Sequence, residues 1–269
     1  MHPNFSFSAV QILWTTTFAA LLVLLVVLLG RDRARRFPWF TASIVLTALR
    51  LLASRLLFGR MAQIPLSFTF IALADLAFIL GLLVLVEVAR RVFTGLGWRA
   101  WLAGSVVLLA VSGSLVALWG PWPAWSAMDH HSLLGALQMM QLTAQKGDLL
   151  LDILTIEVVL LIVLLGSRFG AGWRSHPQRI AIGLSTASLS QIAVQGIWQL
   201  IATRAVPRSR ADYEHILGMR DKLFNANSVV YVLVLVWWIG CLWIDEPGAA
   251  GELPAGAEAV DSSAPISAE

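Results

Sequence analysis

Residues 9–30, AVQILWTTTFAALLVLLVVLLG, are followed at once by RDRARR, residues 31–36. A helix rises about 1.5 Å per residue, so about 20 apolar residues cross the roughly 30 Å hydrocarbon core of a bilayer. This run is long enough and carries no charge. A removable signal peptide has its basic residues ahead of the apolar run, whereas here the arginines come after it. The segment is therefore expected to stay as a membrane anchor. Its N-terminus should lie outside and RDRARR in the cytoplasm, because short cytoplasmic loops collect Lys and Arg.

Working outward, six further windows have the same character: 38–58, 65–89, 100–119, 148–167, 179–203 and 223–244. Over its 269 residues the chain is 58% hydrophobic and 13% charged. Soluble domains sit near 45–50% and about 25%. The expected fold is an all-α membrane protein: a seven-transmembrane-helix bundle over residues 1–244, N-terminus outside and C-terminus cytoplasmic, with the lipid bilayer as its main partner. Of the 19 basic residues, ten fall in the loops after the first, third and fifth spans. Seven fall on the opposite side, and five of these lie in the stretch 204–222, read as a loop before the last span. The remaining two are Arg50 and Arg55. This bias favours the same orientation. Residues 245–269 change composition to acids, Gly, Ala, Pro and Ser without a base, and are expected to form a disordered acidic cytoplasmic tail. Only Lys146 and Lys222 are lysines; with abundant Ala and Gly, this suggests a bacterial source and hence the plasma membrane as the location.

Several chemistries are disfavoured. The arginines cluster between apolar runs, where they orient a membrane chain, so no nucleic acid partner is expected. The single Cys241 excludes an internal disulfide. All five histidines lie outside the spans, so no haem is expected between helices. Asp129, His130 and His131 could join His215, but adjacent loop histidines do not define a four-ligand zinc site. Neither a metal nor any other cofactor is expected. No H-E-x-x-H, G-x-S-x-G or G-x-x-x-x-G-K pattern occurs, and no enzymatic role is expected. Lys222 precedes the last span, so no mid-span lysine is placed for a retinal Schiff base.

What remains is the polar content of the spans. On the second span Ser43, Thr47, Arg50 and Ser54 follow a helical period and share one face. Asp148, Asp152 and Thr155 do so on the fifth, and Ser188, Gln191, Gln195 and Gln199 on the sixth. The seventh begins with Asn225, Asn227, Ser228 and Tyr231. Ser, Gln and Asn at such spacing commonly join helices, whereas ionisable groups within spans are candidate functional sites. Arg50 should lie about 13 Å deep and Asp75 about 15 Å deep. An Arg50–Asp75 pair is expected, with Glu157 as a third member or a substitute. Glu87 should pair locally with Arg90 or Arg91. Arg50, Arg55, Asp75, Asp152, Glu157, Gln191, Gln195, Asn227 and Tyr231 are the expected ligand-binding set around an outward-open polar cavity. The leading functional expectation is a sensory, receptor-like module that binds a small anionic or zwitterionic molecule and signals through a cytoplasmic or membrane partner. A proton- or ion-coupled carrier and a non-catalytic membrane assembly protein are the alternatives.

Overall fold

The computed structural model describes residues 9–93, 97–119, 133–165, 175–205 and 209–245. These form eight α-helices and, among the described residues, no strand: α1 (Ala9–Gly30), α2 (Arg33–Arg36), α3 (Pro38–Leu57), α4 (Gln63–Val92), α5 (Trp98–Leu118), α6 (Leu133–Leu165), α7 (His176–Arg204) and α8 (Arg210–Trp243). Apart from the short α2 and from α6, all are long and apolar enough to cross a membrane. The chain is a helical, multi-pass membrane protein. Large apolar side chains such as Val26, Leu29, Val107, Leu164, Leu233 and Val236 remain exposed on the helix surfaces. In water they would be a liability; against lipid they are the expected outer face.

Two extents go beyond the expected windows. Residues 133–147, which the sequence leaves open between a surface helix and an extension of the fifth span, continue α6 as one helix. Its 33 residues span about 50 Å, well beyond a hydrocarbon core. The stretch 210–222 is the first third of α8 rather than a loop. Ser209 caps it, its hydroxyl accepting the Asp212 N–H at 3.1 Å, and Arg210 pairs with Glu214 at 2.9 Å, one turn on. These local terms favour a helix where hydropathy alone reads a loop. The segment 120–132, with His130 and His131, and the tail beyond Asp245 lie outside the described residues.

Neighbour contacts close a ring in the order α1, α3, α4, α6, α7, α8 and back to α1, with α5 applied to the outside of α6. In the half of the ring nearest RDRARR, Leu24 and Leu28 of α1 meet Phe40 and Ile44 of α3, Val88 of α4, Ile162 of α6, Ile180 of α7, and Leu235 and Trp238 of α8. This half is packed and apolar.

The same end is fastened by charge. Arg31 and Arg33, after α1, reach Asp245, after α8, at 3.4 and 2.8 Å, and Arg31 lies 5.1 Å from the ring centre of Trp243. Glu87 of α4 does more than the expected local pairing. Its carboxylate accepts the backbone N–H of Phe40 at 3.1 Å, is hydrogen-bonded to that of Trp39, and lies 3.8 Å from Arg91. Pro38 has no N–H and Thr41 N–H already bonds to the Phe37 carbonyl, so Trp39 and Phe40 are the two orphan donors at the start of α3. Glu87 takes both from a neighbouring helix. At this same end, Arg179 of α7 donates to the Cys241 carbonyl in the last turn of α8 at 3.1 Å, supplying a partner that the helix end lacks.

Candidate functional site

The polar stripes meet in the half of the ring away from RDRARR. A cavity of ≈ 580 Å³ lies between the first half of α1, the second half of α3, Phe70 of α4 and the middle of α8. Its polar lining is Thr17, Thr47, Arg50, Ser54, Asn225, Asn227, Ser228 and Tyr231. Trp14 forms part of the apolar wall, stacked on Phe18 and donating its indole N–H to the Leu51 carbonyl at 3.4 Å. The volume is in the ordinary range for a small-molecule site, about 300–1,000 Å³.

Deeper in the ring a second cavity of ≈ 300 Å³ is lined by Ser43, Asp152, Thr155, Ser188 and Gln191, and closed by Phe40 and Trp238. Those two rings meet edge to face at 5.1 Å. Thr47, Asn227 and Tyr231 line both cavities and form the wall between them. The wall is hydrogen-bonded: the Tyr231 hydroxyl is in reach of Thr47, Asn227 donates from Nδ2 to Gln191 Oε1 at 2.5 Å, and Ser190 donates to Asn227 Oδ1 at 2.7 Å. Helical spacing explains why α8 can serve both sides. Asn227 and Tyr231 are four residues apart and stack on one face, which fixes the wall's height over one turn.

No family model, no curated protein and no solved structure matches this chain. The site is therefore read from its own side chains.

Of the expected set, Arg50, Asn227 and Tyr231 line the larger cavity, and Asp152, Gln191, Asn227 and Tyr231 the smaller. Arg55 is exposed near the end of α3, while Asp75 and Gln195 are half-buried; none of the three lines either cavity. The expected Arg50–Asp75 ion pair does not form. Among the described residues no carboxylate lies within 4.0 Å of Arg50. Asp75 and Arg50 instead both act on Asp148 of α6, with opposite sign. Glu157 is no substitute partner: it points to the outer helix, where Ser112 of α5 donates to it at 2.7 Å. Ser112 itself is fully buried. This contact was not anticipated, because nothing in the sequence says that α5 sits outside the ring on that face of α6.

The arrangement offers one guanidinium in salt-bridge contact with no described carboxylate, though within the field of Asp148, beside amide and hydroxyl groups, in a cavity with an aromatic wall. Such a set can hold a carboxylate, phosphate or sulfate group through charge-assisted hydrogen bonds. It offers no nucleophile with a positioned base.

Proposed function

We propose that this protein is a seven-span, receptor-like membrane module that binds a small anionic or zwitterionic solute from the outer face, with Arg50 engaging the anionic group. The observation that carries this reading is Arg50 itself. An arginine within a span costs about 2.5–3.5 kcal/mol on insertion scales, and here it lines a polar cavity with no described carboxylate within 4.0 Å. A chain that had only to pack its helices would do better with an apolar residue or a protein counter-ion at that position. Asn225, Asn227, Ser228 and Tyr231 supply orienting hydrogen bonds, and the Trp14 and Phe70 side of the cavity suits an apolar portion of the ligand. Signalling would pass to a partner at the end that carries RDRARR.

The test is a thermal-shift screen of small carboxylates, amino acids, phosphates and sulfates against the purified chain and its Arg50→Gln variant. At least one compound should stabilise the wild type and lose tenfold or more in affinity in the variant, since a hydrogen bond to a charged group is worth about 1.5–3 kcal/mol. A library in which every hit binds both proteins equally would remove the reading.

The topology is part of the proposal. Contacts from Arg31 and Arg33 to Asp245 place the last residues of α1 and α8 at one face. In this reading an odd number of crossings runs from α1 to α8 and α6 is the seventh span, although it carries Asp148, Asp152 and Glu157 within its final 18 residues. Two of these acids are accommodated beside Arg50 and Ser188, and the third beside Ser112. Single cysteines at Arg60 and Ala211, each in a Cys241→Ala background, should label with an impermeant maleimide from the same side of the membrane, and one at Arg35 from the other. If α6 does not cross, Arg60 and Ala211 will label from opposite sides.

A carrier is the second reading, favoured by the succession of Arg50, Asp148 and Asp152 from one cavity toward the next. Flux into proteoliposomes separates the two: a receptor binds the solute and moves none.

A further inference from the structure

The smaller cavity has a chemistry of its own. Asp152 is the only carboxylate among its lining residues. The groups that act on it are the Ser188 hydroxyl and the charge of Asp148, one turn earlier on α6. Neither neutralises it, and among the described residues no Arg or Lys lies within 4.0 Å. A bare carboxylate at this depth needs a counter-charge.

The hydroxyls around it are already polarised in one sense. Ser43 donates to the Phe40 carbonyl, Thr47 to the Ser43 carbonyl and Thr155 to the Leu151 carbonyl, at 2.9, 2.8 and 2.7 Å. A hydroxyl has one proton and two lone pairs. With each proton committed to its own helix, these three groups present only lone pairs to the cavity. Gln191 Oε1, which accepts from Asn227, keeps a second lone pair. These acceptor oxygens line the cavity with one carboxylate, Asp152, and oxygen ligands of this kind are what hard cations take. A monovalent ion balances the one carboxylate in the lining.

We propose that this cavity binds a monovalent alkali cation, with Asp152 as its charged ligand and oxygens from Ser43, Thr155, Ser188 and Gln191 around it. The inference goes beyond the reading of Arg50 as an anion site and stands whether or not that reading holds. The two sites share the Thr47, Asn227 and Tyr231 wall, so a cation in one lies directly behind the anion compartment of the other.

Sodium is the probe. Thermal unfolding of the full chain in nanodiscs is measured at pH 8 in sodium chloride and in choline chloride of equal ionic strength. The wild type should melt about 4 °C higher in sodium, saturably with concentration, as for a ligand in excess over its dissociation constant. The increment should vanish in Asp152→Asn, shift to higher sodium concentration in Ser188→Ala, and persist in Arg50→Gln. Equal melting in the two salts, or an increment that survives Asp152→Asn, overturns the proposal. So does stability that follows pH alone, identical in both salts and lost in Asp152→Asn, because a proton then neutralises the carboxylate. Should Asp152→Asn fail to fold, the displaced sodium dependence of Ser188→Ala decides the matter. Loss of the increment in Arg50→Gln alone would place the ion in the outer cavity instead.

Discussion

Replacing Glu87 by alanine is expected to lower the stability of the bundle by about 3–5 kcal/mol, the range found when one half of a buried, hydrogen-bonded charge pair is removed. Glu87 is 8% exposed and serves three partners at once: the N–H groups of Trp39 and Phe40 and the guanidinium of Arg91. Alanine leaves the N–H groups of Trp39 and Phe40 without that acceptor, and for Phe40, which is fully buried, the desolvation penalty is about 1–3 kcal/mol. Arg91 loses less, since it also donates to the Arg36 carbonyl and lies 4.6 Å from the ring centre of Phe37. Glu87→Gln is the informative partner variant. The amide oxygen can still accept from one N–H while the charge is gone, so a loss of about 1–2 kcal/mol is expected. Reversible unfolding in mixed detergent and lipid bicelles, followed by helicity, gives both values. If alanine and glutamine cost the same small amount, water reaches the α3 terminus and the cap from α4 does not exist.

The spans were legible because hydropathy is a local property. The window 9–30 coincides with α1, and the other windows differ from α3, α4, α5 and α7 by at most three residues at either end. Residues 210–222 contain too many polar groups to register as part of a span, yet the Ser209 cap and the Arg210–Glu214 pair favour helix there. The shared face of Ser43, Thr47, Arg50 and Ser54 on α3 was legible from the helical period, which fixes the face a residue shares, and Asn227 and Tyr231 from the polar start of the last window. The partner of Arg50 was not, and the reason is geometrical. Counting residues from a span's end gives an expected depth, about equal for Arg50, Asp75 and Glu157. It does not give the direction in which each side chain leaves its helix or which helices are neighbours in the ring. Asp75 forms no ion pair with Arg50 among the described residues, and Glu157 turns outward to Ser112 of α5. The same limit hid the cap on α3, whose donor and acceptor are separated by 47 positions.

Gly183 of α7 faces Trp238 of α8 with no room for a side chain, and Gly183→Leu should be the most damaging small-to-large change in the ring, at more than about 3 kcal/mol. A Cβ there would overlap the indole of Trp238. Trp238 is 2% exposed and is held edge to face by Phe40, itself fully buried, so the ring has nowhere to turn without opening the core. Even Gly183→Ala should cost about 1–3 kcal/mol, the usual penalty for overpacking. Gly81 supplies the comparison. A Cβ at that position would also be too close to a neighbour, but the neighbour is the tip of Leu151, which can change rotamer. Gly81→Ala should therefore cost under about 1 kcal/mol, the helix gain over glycine offsetting much of the repacking. Because Trp238 also closes the smaller cavity, Gly183→Ala should weaken sodium-dependent stabilisation while Gly81→Ala leaves the Trp238 side intact. Equal losses at the two glycines would mean that the indole moves as freely as the leucine, and that the wall between α3, α7 and α8 is softer than its burial implies.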